Sequence, residues 1–219
     1  MAIGRDAGSV TQGDGAVAVG YSAGETRQLE NGVAIGTNAG YVDQKEYAVA
    51  IVHYAGNTIQ RNSSVAMGNN AGGSNQKADA VAIGMYAANN TQGVNSVAVG
   101  PYAGRTRQGI NSVAVGSYAG HDDQKWHSIA VGSEAGKDTQ GTYAIAIGSK
   151  AGQNSQGEHS IALGFAAGHT NQPPNSTIIN ATGGPFPVGT TGLFVAPLRL
   201  GTGTHTLYYN VGTKEITYN

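Results

Sequence analysis

A chain of 219 residues with 12 Lys+Arg against 13 Asp+Glu has a formal net charge of −1, which leaves no electrostatic footprint for nucleic acid or an anionic membrane. The absence of cysteine excludes a disulfide framework and thiolate metal sites, and no apolar run approaches the roughly 18 residues of a membrane helix. Glycine is abundant at 35 residues, but its positions are periodic, which separates it from a disordered Gly-rich tract.

From the first residue the chain is a repeat. Met1 occupies the column of Val17, as in a chain cut inside a repeat, and glutamine recurs at every sixteenth position from Gln12 to Gln172. The consensus S-V-A-I-G-x-x-A-G-x-x-x-Q-x-x-x marks a stacked array rather than independent globular domains. In pentads such as Ser112-Val113-Ala114-Val115-Gly116, β-branched residues alternate with small ones, the period of a strand. A sixteen-residue unit is too short for paired helices and fits two short strands and two turns. The predicted fold class is all-β: a parallel β-roll or β-solenoid of about eleven coils, roughly 50 Å long at about 4.8 Å per coil.

Every charged residue before position 176 lies outside the pentads, so both faces of that strand are expected to be buried. The Ser/Ala/Gly face suits the tight interior of a flattened roll. The Val/Ile face then has no partner within the coil. Its two rows would expose on the order of 1,000 Å², more than a soluble monomer tolerates, and at about 25 cal/mol per Å² covering them stabilises by roughly 25 kcal/mol before entropy. An obligate oligomer sealed along this stripe is expected, with Val97, Val99, Val113, Val115, Ile129, Val131, Ile145 and Ile147 in the seam. The alternative places Val/Ile inside and Ala/Ser/Gly outward.

The glutamine column is expected to form a hydrogen-bonded ladder, each amide donating to the next. The periodic glycines supply positive φ at corners. Val52 and Ala88 stand where glycines are expected, so those two corners should be strained or differently shaped.

No constellation points to catalysis, and no cofactor or metal site is expected. His121-Asp122-Asp123 reads as a solvated polar turn, and His127, Tyr143 and His159 share a column and should stack. Tyr86, Tyr102 and Tyr118 share another column, with Trp126 in a nearby turn; together they form the candidate recognition surface, either for a glycan or protein or as shielding of coil edges. Scattered carboxylates do not form the paired acids that a polysaccharide depolymerase needs.

Pro173-Pro174 and Gly183-Gly184-Pro185-Phe186-Pro187 break the array, giving a repeat domain over 1–175 and a C-terminal region over 176–219. Leu207-Tyr-Tyr-Asn and Glu215-Ile-Thr-Tyr, around Val211-Gly212-Thr213, predict a β-hairpin.

The pentads at 95–100 and 111–116, with Ser128-Ile129-Ala130-Val131-Gly132, resemble the head repeats of trimeric autotransporter adhesins over roughly residues 1–180. That resemblance implies a left-handed roll with three chains about a common axis. The run Gly192-Leu-Phe-Val-Ala-Pro-Leu-Arg, followed from Thr206 by Leu-Tyr-Tyr-Asn-Val-Gly-Thr-Lys-Glu-Ile-Thr-Tyr-Asn219, resembles the segment preceding the self-cleaving intramolecular chaperone of phage tail fibres and fibre-like proteins of large DNA viruses. It implies a homotrimeric, non-enzymatic fibre or spike at a virion surface, attaching to a host-surface glycan or protein receptor, without nucleic-acid binding or membrane insertion. The alternative is the passenger head of a bacterial adhesin at the cell surface.

Overall fold

The computed structural model describes residues 1–186, 189–198 and 207–218; Pro187, Arg199, His205, Thr206 and Asn219 lie outside them. The described residues form an all-β parallel solenoid of about 12 turns, with a small antiparallel sheet at the C-terminal end. Each turn contributes one strand to a 13-stranded sheet and, through most of the array, another to a 10-stranded sheet. Pairing follows the sixteen-residue step without slippage: Val97, Ala98 and Val99 lie against Val113, Ala114 and Val115, and Gln76 lies against Gln92. The two layers are called here the alanine sheet and the glutamine sheet.

Packing decides which way the pentads face. Ala18, Ala34, Ala50, Ala66, Ala82, Ala98, Ala114, Ala130, Ala146 and Ala162 are fully buried, whereas the flanking Val and Ile columns are half-buried or exposed. Small residues therefore fill the interior, and the reverse arrangement is excluded. Serines that open the pentads are buried too, and each satisfies its hydroxyl locally; Ser112 Oγ donates to the Gly109 carbonyl at 2.6 Å.

Opposite the alanines lie the glutamine side chains, most of them fully buried. Gln44 Nε2 donates to Gln60 Oε1 at 3.0 Å, to Val33 O at 2.9 Å and to Ala48 O at 3.2 Å, while Gln28 donates to Gln44 at 3.0 Å. The amide thus bonds along the rod and also across the thin core to both neighbouring strands. The ladder is not continuous. It runs Gln12–Gln60, Gln76–Gln108 and Gln124–Gln156, and the Oε1 atoms of Gln76, Gln124 and Gln172 have no partner.

Glycine ends nearly every pentad, where coils press together. At Gly100, φ is +123° and an added Cβ would come 2.8 Å from the Gly116 carbonyl carbon. Val52, in the same column, is held at φ 87°, and Ala88 takes a glycine's place in the following column at φ 45°. Both expected irregular corners therefore keep the turn's left-handed backbone despite their side chains. A further left-handed position is invisible in the sequence: the residue before most of the glutamines, as in Arg27 (φ 57°), Asp43 (φ 60°) and Ile59 (φ 55°), though not Thr91 or Arg107. Where it is left-handed, pairing skips this residue, linking Val42 to Thr58 and Gln44 to Gln60, whereas Thr91 and Arg107 pair directly beside Gln92 and Gln108.

The alanine sheet does not stop at residue 175. Thr177–Asn180 and Leu193–Ala196 extend it in parallel, with Ile178 entering the alanine column against Ala162 and then Phe194 following it. Ile178 is fully buried and joins the alanine cluster, against which Phe186 and Phe194 also pack. These larger side chains lie beyond the last strand of the glutamine sheet, Asn154–Gln156. The expected boundary at 175/176 therefore falls between two paired strands. Leu207–Tyr209 and Ile216–Tyr218 form the expected hairpin, its turn held by Asn210 Oδ1, which accepts from the Gly212 and Thr213 amides.

Two substitutions test this account. Val52→Gly relieves a β-branched residue at positive φ and should raise stability by about 1 kcal/mol in chemical denaturation. Gln44→Leu removes a buried amide with four hydrogen bonds and should lower it by about 2 kcal/mol.

Candidate functional site

Four surfaces follow from this coil: the outer faces of the two sheets and the two turn edges. On the alanine sheet, Val97, Val99, Val113, Val115, Ile129, Val131 and Ile145 are half-buried and Ile147 is 39 % exposed in the single chain. They form two continuous apolar rows flanking the buried alanines. The strands carry no charged side chain on this face.

The turn that leaves the alanine sheet carries the tyrosine column. Tyr86 and Tyr102 stack with centroids 5.4 Å apart at 13°, and Tyr102 and Tyr118 at 4.8 Å and 8°. The Arg105 guanidinium lies 5.8 Å from the Tyr86 centroid and 5.5 Å from that of Tyr102, and the His121 ring lies 5.2 Å from Tyr118. The inner faces of the rings are therefore spent on one another, and the stack presents mainly edges. Trp126 is not part of it. It sits in the turn between Asp122–Gln124 and Ile129–Val131, which returns the chain to the alanine sheet and forms the opposite edge of the flattened coil. The structure thus brings three of the four candidate recognition residues together and separates the fourth. Sequence adjacency of Tyr118 and Trp126 conceals that the glutamine strand lies between them.

His121 also departs from the solvated turn expected for it. Its side chain is largely buried beneath the tyrosines, and Nδ1 approaches Asp122 Oδ2 at 2.9 Å without hydrogen-bond alignment. On the second edge, His127, Tyr143 and His159 stack as their column predicts, at 5.0 Å and 5.2 Å. Among the described residues no group of three or more His, Asp or Glu could hold a metal ion.

The outer face of the glutamine sheet carries a charge motif that occurs twice. Arg27 and Lys45 both contact Asp43 Oδ1, at 2.7 and 2.6 Å, and Arg107 and Lys125 contact Asp123 at 3.1 and 2.9 Å. The spacing, Arg to Asp across one coil and Asp to Lys two residues on, was present in the sequence as a periodic pair and was missed there. Burial alone would push the Asp43 carboxyl up, but hydrogen bonds from Lys45 and Arg27 outweigh it and hold the group below its ordinary value. The Lys125 hydrogen bond dominates at Asp123, offset in part by burial and reinforced by Arg107, and also leaves that carboxyl low. At Asp122 burial acts upward, while the Thr106 hydroxyl, at 2.7 Å, and the His121 imidazole bring it down.

Because these carboxyls are lowered in the fold, their contribution is complete above the unfolded value of about 3.9 and is lost as pH falls through the folded one. An Asp43→Asn, Asp123→Asn variant should be less stable than the parent by about 1 kcal/mol or less per site at pH 7. The deficit should vanish near pH 2, as read by denaturation at the two pH values.

A family model described as the YadA head domain repeat matches residues 140–167 as two copies. This match coincides with two alanine-sheet strands, Ile145–Ile147 and Ile161–Leu163, and the glutamine strand between them, Asn154–Gln156. Neither the curated proteins nor the solved structures contain a significant match to the chain. The chain thus carries adhesin-head-type repeats in a solenoid that is typically a structural fold.

Proposed function

We propose that this chain is the head of a homotrimeric, surface-exposed fibre that binds rather than catalyses. One observation carries the reading: two uncharged rows of Val and Ile cover the outer face of the alanine sheet while alanine fills the core. The interior is already closed, and among the described residues nothing covers those rows. An exposed apolar stripe on the order of 1,000 Å² is more than a soluble monomer tolerates and matches the roughly 800 Å² per partner of a stable interface. Sister copies are the natural cover, because the stripe runs the length of the rod in a fixed register. Three copies are inferred from the YadA-type head repeat.

Within this reading we favour attachment or projection at a virion surface, supported by the likeness of the segment from Gly192 to viral fibre proteins. The passenger head of a bacterial adhesin is the second reading, favoured by the repeat match at 140–167. Chaperone sequence following this segment in the gene would support the first; a membrane-anchor barrel would support the second.

Sedimentation of the intact chain at micromolar concentration should give three subunits per particle. Val113→Asp combined with Val115→Asp should dissociate the particle, whereas Asp123→Asn on the other sheet should not. A well-folded single subunit under these conditions would overturn the proposal.

A further inference from the structure

The second turn edge contains a notch that the repeat does not require. In the column following each glutamine the chain places Gly13, Leu29, Lys45, Arg61, Lys77, Gly93, Gly109, Lys125, Gly141, Gly157 and Pro173, and between Lys77 and Lys125 a pair of glycines lies with a cation at each end. At both glycines the coils are too close for a side chain: a Cβ on Gly93 would meet the Gly109 carbonyl carbon at 2.5 Å, and one on Gly109 would meet that of Lys125 at 2.5 Å. Two successive coils therefore offer bare backbone as a floor, bounded at either end by Lys77 and Lys125, three coils or roughly 14 Å apart.

The walls of this notch differ in character. One side is the adjoining turn column, Val94, Ile110 and Trp126, with Ile110 40 % and Trp126 59 % exposed. The other is Thr91, Arg107 and Asp123. Three shallow depressions, of about 240, 280 and 440 Å³, meet at Trp126. Of the four charged residues lining them, Lys77, Arg107 and Lys125 are cationic and Asp123 alone is anionic. Asp123 pairs with Arg107 and Lys125, while Lys77 is half-buried and makes no ion pair among the described residues.

We propose that this notch binds an acidic sugar, a carboxylate-bearing residue of a glycan chain. The reading names a ligand class for the binding head and rests on that head being a binding module. A sugar ring has one apolar C–H face and a rim of hydroxyls, which matches an apolar wall opposite a polar one. Trp126 offers a rigid surface at low entropic cost. Arg107, Asp123 and Thr91 supply hydroxyl partners, and the unpaired Lys77 complements the carboxylate. The tyrosine stack on the opposite edge is less suited, because its ring faces are occupied by one another. The notch opens on the glutamine sheet and the second turn, away from the Val/Ile rows.

Trp126 is the only tryptophan in the chain, so its fluorescence reports this site alone. In the intact protein its emission should be red-shifted and readily quenched by acrylamide; a shielded tryptophan would overturn the site whatever the subunit count. Titration with 3′-sialyllactose and with a hyaluronan hexasaccharide should change that emission saturably for at least one, while lactose and a hexaglutamate peptide leave it unchanged. By calorimetry, Trp126→Ala and Lys77→Glu should each weaken the acidic sugar at least about tenfold without changing the circular dichroism spectrum or the sedimentation. No binding of either acidic sugar, equal binding of lactose, or equal binding of the peptide would each overturn the proposal. Subunit number, measured separately, tests the assembly, so failure of one reading is distinguishable from failure of the other.

Discussion

The structure depends on how closely its two sheets approach. Alanine methyls on one side and glutamine amides on the other, with buried serines, fill the interior, and a layer this thin has little room for branched side chains. That constraint sends Val and Ile outward and fixes the coil at sixteen residues. It also makes strand register strict, because a one-residue slip would drive valine into the space of alanine. The single large aliphatic residue in the alanine column, Ile178, occurs only at the end, beyond the last strand of the glutamine sheet, where two phenylalanines pack against the same core cluster.

A core with so little apolar volume uses polar chemistry for cohesion. Most glutamine amides tie their own coil to backbone carbonyls on either side and to the glutamine of the next coil, and buried serines close onto backbone carbonyls three residues back. The three open rungs of the ladder show that identical side chains need not remain in perfect register over the length of a rod. The backbone contributes its own irregularity. Several left-handed residues per coil, most of them not glycine, turn the chain through corners while keeping the glutamine side chains inside.

With the interior sealed by short side chains, function is left to the outside, where each surface has a different chemistry. The alanine sheet offers an uncharged apolar face suited to sister chains. The tyrosine edge is self-stacked and braced by Arg105 and His121. The glutamine sheet carries paired charges, and the second edge opens into the glycine-floored notch around Trp126. Most variation between coils falls in the turns and beside the glutamines, where it leaves the scaffold undisturbed.

The repeat period, the strand type, the identity of the core columns and the stacking of Tyr86 with Tyr102 and of His127 with Tyr143 could all be read from the chain. Each depends on a residue meeting its own counterpart one coil away, and a fixed spacing in sequence then becomes a contact in space. Folding alone decided what lies on which edge, because a three-residue strand is enough to carry Trp126 to the far side of the coil from Tyr118. It likewise buried His121, turned Arg27 and Ile59 left-handed, carried the alanine sheet past Pro173-Pro174, and opened the floor at Gly93 and Gly109. These outcomes depend on the distance between neighbouring coils at one place, a quantity that no column of letters contains.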